Sequence, residues 1–563
     1  MGSMRRSAQR EGAATAQAAE GAWRERWVFG TFLVLQLVPL WAFAFVPTQD
    51  GPAHLENAAI LLRRSTVAVI GQFYVPNPRL VLNWLGHGVL VPLLALFPPA
   101  LAEKLALSGY VLALPLAFRR VLTPHARAKG FALCIFPFLF GYTFYMGFTG
   151  FCWSLVLFFI ALWIWSRSRG RLGPARVAGL GLVSIVVAVG HPVTLVALIV
   201  TLGSLSFGRA LVDYARARGA GRRARLLRLH TRLWASLAVS LLPAIALVIA
   251  FSAGGAEGYA LQWLPLGRRL SGLAVLLSLV AVTPADLWVS AALAASILVA
   301  VGATAWARRH AASGSWEWLF AAGVMLFVAL VAPDRFGRGW GMTLRLQFFP
   351  FALALIWLGL GRPLPVLARI LPAACALAAL ALLGLRLPAH ARLSRALEEY
   401  TSVAPYVPRG SVLLPLQLTL GRDLGRDGLF PLNFSPLLHA AGYVAASRDS
   451  VDLANYEANT GLFPVRYRPE RNPYSRLARG GGFEGEGSLP CADLAAGSEL
   501  GIDHVIIWGP LQDALVDPCV RDWARELASA YDLVYVSQPR HFAELWRRKP
   551  LVSPDAAHSG MDR

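Results

Sequence analysis

The sequence predicts an α-helical polytopic membrane protein, and three features of its composition carry that prediction. The chain has 563 residues and a mean hydropathy of +0.52, with 56% hydrophobic and only 15% charged residues. A soluble chain of average composition carries about 25% charge. Apolar runs long enough for membrane helices recur up to about residue 387, and 18 Trp and 29 Phe suit interfacial belts and lipid-facing surfaces.

The net charge of +21 does not indicate a nucleic-acid-binding protein. Most of the excess is Arg in short loops between apolar runs, where orientation signals of membrane proteins lie. The segments 118–129, 166–176 and 209–232 are therefore predicted to be cytoplasmic. The turns FYMGFTGF (144–151) and GHPV (190–193) then face the outer side.

The N-terminal part divides into a tail and a first helix. Residues 1–26 are polar and Arg-rich, which predicts a cytoplasmic tail. The apolar run 27–46 is too long for a signal-peptide core and lacks a small-residue cleavage site, so an uncleaved membrane helix is predicted. Residues 27–387 form the predicted transmembrane domain, in which 47–82 is the first outer loop.

Thirteen apolar segments are candidates for membrane crossings. The charged loops lie on one side only if one segment within 83–118 and one within 269–307 are re-entrant or interfacial, which leaves eleven crossings. We therefore expect 11 to 13 transmembrane helices. Because the N-terminus is predicted to be cytoplasmic, either 11 or 13 crossings of a bacterial inner membrane would place the C-terminus on the outer side.

The character of the chain changes at about residue 388. Short β-type runs occur at 411–418, 504–509 and 532–537, and a helical pattern occurs at 519–531. These patterns predict a small extracytoplasmic α/β domain over 388–563.

The five cysteines fall into two groups. Cys134, Cys152 and Cys375 lie in apolar runs, where buried packing residues are expected. Cys491 and Cys519 lie in the polar C-terminal region. If that region is outside the cytoplasm, the sequence is compatible with either of two states: a disulfide between Cys491 and Cys519, or two free thiols.

The stretch PTQDGPAHLENAAILL (47–62) places a polar cluster directly after the first apolar run. Gly51 and Pro52 interrupt any helix, and the following residues predict an amphipathic helix on the membrane surface. Asp50 then either caps this helix or acts with His54 to bind an acceptor hydroxyl and remove its proton. Glu56 is a further candidate substrate-binding residue in this cluster.

Candidate cationic and polar binding residues lie farther along the chain. The loop 332–349 carries Arg335, Arg338 and Arg345, and Arg345 begins a membrane helix, where it could bind a phosphate. Interfacial snorkelling is the alternative, and it is favoured for Arg335 and Arg338. His191 interrupts an apolar stretch, where a polar group is costly and often functional, although Pro192 also suits it to a helix turn.

No motif predicts a resident cofactor. The sequence shows no His/Cys cluster for zinc, no phosphate loop, no dinucleotide fingerprint and no nucleophile elbow. No metal site is predicted, and a soluble nucleotide-sugar donor has no recognisable binding motif.

The layout of residues 27 to about 390 resembles the GT-C glycosyltransferase superfamily, with a long first membrane helix, then an acidic residue at the start of the first outer loop, then an amphipathic helix. The stretch PALAEKLALSGYVLALPLAFRRVL (99–122) is similar to one in the aminoarabinose and dolichyl-phosphate-mannose transferase branches. The acidic pair typical of many members is absent, because Gly51 follows Asp50. This departure gives no support for a divalent metal and assigns no branch.

The resemblance implies transfer of a sugar from a polyprenyl-phosphate donor to a glycan, lipid or protein acceptor on the outer face of the membrane. The matching acidic residue, Asp50, would be the general base. From the residues themselves we expect His54 to assist it or to bind the acceptor, and Arg345 to bind the donor phosphate. Two alternatives are a lipid-linked glycan transporter or flippase, and a non-catalytic scaffold for envelope assembly. A transporter usually shows repeat symmetry and broken helices at the bilayer midplane, and the sequence shows neither apart from the break at His191.

Overall fold

A computed structural model describes residues 25–123, 126–168, 171–253, 261–309, 315–336, 339–361, 363–418, 433–477, 499–511, 515 and 518–550. Most of this chain is helical. In chain order the helices are α1 (25–35), α2 (Val38–Trp41), α3 (Gly51–Arg63), α4 (Ala68–Phe73), α5 (Trp84–Leu96), α6 (Pro99–Leu122), α7 (Tyr142–Tyr145), α8 (Thr149–Ser166), α9 (Pro174–Gly190), α10 (Pro192–Arg216), α11 (Ala220–Ala253), α12 (Leu266–Ala274), α13 (Asp286–Ala307), α14 (Trp316–Val331), α15 (Met342–Leu346), α16 (Phe348–Leu360), α17 (Pro365–Thr401), α18 (Ala441–Arg448), α19 (Tyr456–Thr460), α20 (Pro473–Arg476) and α21 (Pro518–Ala530).

Seven of the described helical segments are long and apolar enough to cross a membrane, so the chain is a helical polytopic membrane protein. They are Pro99–Leu122, Thr149–Ser166, Pro192–Arg216, Ala220–Ala253, Asp286–Ala307, Met342–Leu360 and Pro365–Tyr406. Several of them start with proline, which lacks an N–H that the first helical turn would leave unpaired anyway. The count of 11 to 13 crossings stays a prediction.

The first apolar run is not the single helix that the sequence predicts over 27–46. Helix α1 ends at residue 35, a turn follows, α2 is only four residues long, and residues 42–50 are not helical. Pro39 explains the break, because its ring would clash with the carbonyl of residue 35 in a continuous helix. The run therefore approaches Asp50 as an irregular chain.

The two windows that the sequence marks as re-entrant or interfacial contain short helices. At a rise of about 1.5 Å per residue, the 13 residues of α5 extend about 20 Å, less than the roughly 30 Å hydrocarbon core. Helix α12 has nine residues, and the chain from 275 to 285 is mostly irregular.

A five-stranded mixed sheet occupies the C-terminal part of the described chain, with strand order β5-β4-β7-β9-β8. The strands of the chain are β1 (Tyr74–Pro76), β2 (Leu261–Gln262), β3 (Arg335–Phe336), β4 (Val412–Gln417), β5 (Val451–Asp452), β6 (Val465–Tyr467), β7 (His504–Trp508), β8 (Tyr531–Val536) and β9 (Ala543–Arg548). Strand β4 is parallel to β5 and β7, whereas β9 is antiparallel to β7 and β8. Strands β4, β7 and β8 lie where the sequence predicts β runs.

The sheet region is joined closely to the membrane helices and to the first loop. Helix α17 continues across residue 388, so the predicted domain boundary falls inside a helix. Strand β1 of the first loop pairs with β6 in antiparallel register, with Tyr74 opposite Tyr467. One face of the sheet packs on α4 and α21, and the other packs on α18 and the end of α17. The first loop and the C-terminal region therefore share hydrophobic cores.

Candidate functional site

Asp50 is positioned by a backbone turn from distant sequence. The Gln49 N–H donates to the carbonyl of Tyr145 at 2.9 Å, and the Asp50 N–H donates to that of Met146 at 3.1 Å. Gly147 follows with a φ of +78°, and a Cβ there would lie 2.5 Å from the Gly51 nitrogen. Only glycine tolerates both the positive φ and this close approach. The turn FYMGFTGF therefore lies against Asp50.

The Asp50 carboxylate does not cap α3, contrary to one of the two roles considered from the sequence. Asp50 occupies the N-cap position, but its side chain makes no capping hydrogen bond. Its Oδ1 instead accepts from Gln49 Nε2 at 3.2 Å, and the Tyr456 hydroxyl also hydrogen-bonds this carboxylate. The acid is thus directed away from its own helix and toward the C-terminal region.

Helix α3 is not the membrane-surface helix that the sequence predicts. All residues from Gly51 to Ile60 are buried. The helix packs against α5 on one side and α18 on another, and a Cβ on Gly442 would collide with the Pro52 carbonyl. The apolar and small residues of α3 fit this setting because the C-terminal region covers the face that would otherwise meet water.

Three buried side chains converge beside Asp50, namely His54 from α3, His87 from α5 and Glu457 from α19. His54 Nδ1 contacts Glu457 Oε1, and His87 Nε2 lies 3.2 Å from Glu457 Oε2. The two imidazole rings meet edge to face with centroids 5.3 Å apart. One ligand atom from each of the three residues lies within 4.8 Å of those from the other two. This geometry makes the cluster a candidate metal-binding group.

Burial and mutual charge shift the ionisation of this region. Burial raises the pKa of Asp50 to about 7, while the nearby His54 opposes the shift. Burial alone would lower the pKa of His54, but the charge and hydrogen bond of Glu457, the charge of Asp50 and the Gly147 carbonyl together outweigh it, so the pKa of His54 is raised. Burial likewise disfavours the ionised Glu457, yet His54 and His87 hold the pKa of Glu457 below its usual value. Asp50 can therefore exchange a proton near neutral pH.

His439 lies on another side of Asp50, with its Nε2 3.7 Å from Asp50 Oδ1. Its ring stacks on Tyr456 at a centroid separation of 4.4 Å. Burial lowers the pKa of His439 to about 3, so its imidazole is neutral at pH 7. Asp50 is consequently bordered by one neutral histidine and by one that is ion-paired.

Glu56, the third polar residue of the predicted cluster, points into a different environment. Its Oε1 accepts from the Tyr74 hydroxyl at 3.4 Å, and it interacts electrostatically with Asp452. Burial and the neighbouring Asp452 raise the pKa of Glu56 well above its usual value. Because the Tyr74 hydroxyl also donates to the Asp452 carbonyl, this second group connects α3 to β5.

Arg345 is buried at the start of the α15–α16 segment, as the sequence suggests. Its guanidinium lies 4.2 Å from the centroid of the Phe148 ring, directly after Gly147, and donates to the Trp340 carbonyl. Electrostatic interactions connect Arg345 with Asp50 and with His191. Asp50 and Arg345 thus contact the same turn, Asp50 through Met146 and Arg345 through Phe148.

His191 serves as a helix cap. Its Nδ1 accepts from the Val193 N–H at 3.3 Å, which caps α10, and its ring lies edge-on to Phe151 at 5.3 Å. The helix-turn role considered from the sequence is therefore present. A role in substrate binding stays a prediction.

The remaining predicted site residues are less informative. Arg335 lies exposed in β3, opposite Gln262, and its role in substrate binding stays a prediction. Arg338 and Cys491 lie outside the described residues, and the side chain of Cys519 does too. The proposed Cys491–Cys519 disulfide accordingly stays a prediction.

Sequence reasoning missed Glu457, His439 and Asp452. Glu457 lies two residues after Asn455, whose side chain caps α19 by accepting from the Ala458 N–H. The stretch NYEANTG therefore has the pattern of an ordinary capped helical turn. No local pattern connects it with α3. His87 is, from the sequence, no more than an interfacial residue.

A cleft lies within the membrane part of the chain. Its lining includes Gln36, Pro39, Tyr145, Ala379, Arg386 and His390. Tyr145 belongs to the turn that holds Asp50, but Asp50 and Arg345 are not among the residues that line this cleft.

Comparison of the chain with protein-family profiles and with curated proteins finds no match.

Proposed function

We propose that the chain is a membrane glycosyltransferase that moves a sugar from a polyprenyl-phosphate donor to an acceptor on the outer face of a bacterial inner membrane, with a GT-C-like layout. The observation that carries this proposal is the Asp50 carboxylate. It does not cap its own helix, Arg345 stacks on Phe148 in the turn that holds it, and its pKa is raised to about 7. The C-terminal sheet region, on the same outer face, would shape acceptor access.

The proposed chemistry is an inverting displacement. Asp50 removes the proton from the acceptor hydroxyl as the hydroxyl oxygen attacks the anomeric carbon of the donor sugar. The bond between that carbon and the donor phosphate oxygen breaks, and the lipid phosphate leaves. Arg345 stabilises the leaving phosphate through charge-assisted hydrogen bonds. His54 orients the acceptor beside Asp50, and no nucleotide cofactor takes part.

Access of substrate to Asp50 requires movement of the segment that covers it. Asp50 is only 7% exposed. Residues 433–440 lie over it, because the Ser435 N–H donates to Gln49 Oε1 and His439 contacts Asp50. The Phe434 ring stacks on Tyr145 at 5.2 Å. Displacement of this segment would expose the acid to a substrate.

The test is the isosteric variant Asp50→Asn, measured in membrane vesicles supplied with a radiolabelled polyprenyl-phosphate hexose. Sugar transfer to vesicle acceptors is expected to fall at least 100-fold, because loss of a general base typically costs 10²–10⁴ in rate. The variant should still insert and keep its melting temperature. Asp532→Asn is the matched control, since Asp532 is exposed and only weakly paired with Lys549.

Three outcomes would reject the proposal or part of it. Equal transfer by wild type and Asp50→Asn would remove Asp50 as the base. If wild type transfers no sugar but vesicles containing it move the labelled lipid between leaflets, the chain is a flippase. If it shows neither activity, a scaffold is favoured.

A further inference from the structure

We propose that His54, His87 and Glu457 bind one divalent transition-metal ion of the zinc type. The inference goes beyond the proposed transfer reaction and does not depend on it. Two imidazoles and one carboxylate form a recurrent protein ligand set for zinc, which leaves a fourth position open to water or substrate.

The spacing of the three residues suits such an ion. Ligands about 2.1 Å from a tetrahedral ion lie about 3.4 Å from one another. His87 Nε2 and Glu457 Oε2 are 3.2 Å apart, and one ligand atom from each of the three residues lies within 4.8 Å of the other two. Small side-chain adjustments therefore place all three around a single ion.

The tautomer of His87 provides a second argument. Its Nδ1 lies 3.0 Å from the Asn83 carbonyl oxygen, which can only accept, so Nδ1 carries the hydrogen. In the neutral ring, Nε2 then directs a lone pair at Glu457 Oε2, which is also an acceptor. Two acceptors at this distance repel unless a cation, either a second ring proton or a metal ion, lies between them. A metal-binding histidine usually donates its other N–H to a carbonyl in this way.

Buried polar atoms of His54 and Glu457 provide a third argument, because they lack hydrogen bonds. Glu457 is fully buried, and neither its Oε1 nor His54 Nδ1 has a hydrogen bond of acceptable geometry, although the atoms are in contact. The His54 ring also faces the Gly147 carbonyl. Buried polar atoms rarely remain without hydrogen bonds unless an ion or water completes them. The two imidazoles approach opposite oxygens of one carboxylate, so a single ion would satisfy both.

The surroundings also fit a metal site. The Phe463 ring packs against both imidazoles, with centroids 5.8 Å from His54 and 6.1 Å from His87, and an apolar shell limits water access. Asp50, which interacts electrostatically with His54, is a further carboxyl group beside the cluster. The ion would fix α3, α5 and α19 together, and thereby hold the C-terminal region against the membrane helices.

The test uses the full chain in detergent, after removal of any histidine tag and after treatment with a chelator. Zinc is added, unbound metal is dialysed away, and bound metal is measured by mass spectrometry together with the melting temperature. Wild type is expected to bind one zinc per chain and to melt at a higher temperature with zinc. His87→Gln should weaken binding at least tenfold.

His230→Gln is the matched control. His230 Nε2 lies 3.2 Å from Asp213 Oδ2, the same separation as in the His87–Glu457 pair, but among the described residues the His230–Asp213 pair belongs to no group of three possible metal ligands. This variant should keep full zinc binding. Failure of wild type to bind zinc, or equal binding by His87→Gln, would overturn the proposal.

A spectroscopic measurement on the wild-type protein tests the proposal independently, in case His87→Gln does not fold. X-ray absorption at the zinc edge of the wild-type protein should show two imidazole ligands and no sulfur. A sulfur ligand, or fewer than two imidazoles, would also overturn the proposal. Both measurements read the metal directly, so they stay informative even if sugar transfer is never observed.

Discussion

Glu457 Oε2 lies 3.2 Å from His87 Nε2, although 370 residues separate the two in sequence. A short helix of the C-terminal region therefore places a carboxylate among residues of α3 and α5. Its neighbour Tyr456 hydrogen-bonds Asp50. The C-terminal region is thus part of the candidate site itself, and changes in it should affect the membrane part directly.

Arg345→Lys tests the role of the buried guanidinium. A lysine keeps the charge but loses the planar fork that binds phosphate at two points and stacks on Phe148. We expect the KM for the polyprenyl-phosphate donor to rise about 10-fold or more, with little change in melting temperature. Steady-state kinetics in vesicles over a range of donor concentrations provides the measurement.

The matched control is Arg309→Lys, because the Arg309 guanidinium also stacks on an aromatic ring, that of Trp306 at 4.3 Å, but at an exposed position. It should leave the KM unchanged. An unaltered donor KM in Arg345→Lys would show that Arg345 does not bind the donor phosphate.

Gly147→Ala tests the turn that positions Asp50. The added methyl group would lie 2.5 Å from the Gly51 nitrogen at a φ of +78°, so the backbone of Asp50 must shift. We expect a lower melting temperature and a loss of transfer of at least 10-fold, since small misplacements of a catalytic group are costly. Thermal unfolding and transfer assays would be run on the same preparation.

Gly219→Ala is the control that distinguishes the effect of backbone strain from the effect of displacing Asp50. Gly219 has a φ of +91°, but a methyl group added there would meet open space, so only strain of about 1 kcal/mol is expected. If Gly147→Ala behaves like Gly219→Ala in both assays, the contact between the turn and Asp50 has no functional importance.

Asp452→Asn tests the buried carboxyl group that lies beside Glu56. Burial raises the pKa of Asp452 from 3.8 to about 7, so the folded state binds its proton more tightly than the unfolded state. The contribution of this group to the free energy of unfolding therefore falls as pH rises from about 4 to about 7. The amide keeps an oxygen for the Ala454 N–H, which donates to Oδ1 at 2.7 Å.

We expect Asp452→Asn to melt several degrees above wild type at pH 8 and near wild type at pH 4. Melting temperatures from pH 4 to 8 would show this as a flatter profile. Asp532→Asn, at an exposed position, should follow the wild-type profile. A wild-type profile for Asp452→Asn would mean that the acid stays ionised in the folded protein.

Local patterns predicted a substantial part of the secondary structure. Strands at 504–508 and 531–536 follow runs that contain β-branched and aromatic residues, because such side chains pack well in a sheet, and the strand at 412–417 follows a short apolar run rich in Leu. Asp50 was identified as an acid at a helix start. The run 27–46 was mispredicted as one helix because hydropathy outweighed the effect of Pro39.

The burial of α3 could not be predicted from its own residues. A mixture of apolar and polar side chains at helical spacing suits a membrane surface and a buried contact equally well. Contact with α5 and α18 decided between them, and it directed Asp50 away from the helix cap.

The amino-acid sequence by itself determined the membrane class of this protein, because the transfer of long apolar segments into lipid depends on composition and length alone. It also marked Asp50 and Arg345 by their positions at segment ends. Only the tertiary structure decided that His54, His87 and Glu457 meet, since their separation along the chain leaves no local periodicity to connect them. Their convergence depends on how α3, α5 and α19 pack, and the energy of that packing comes from the shared hydrophobic cores around them.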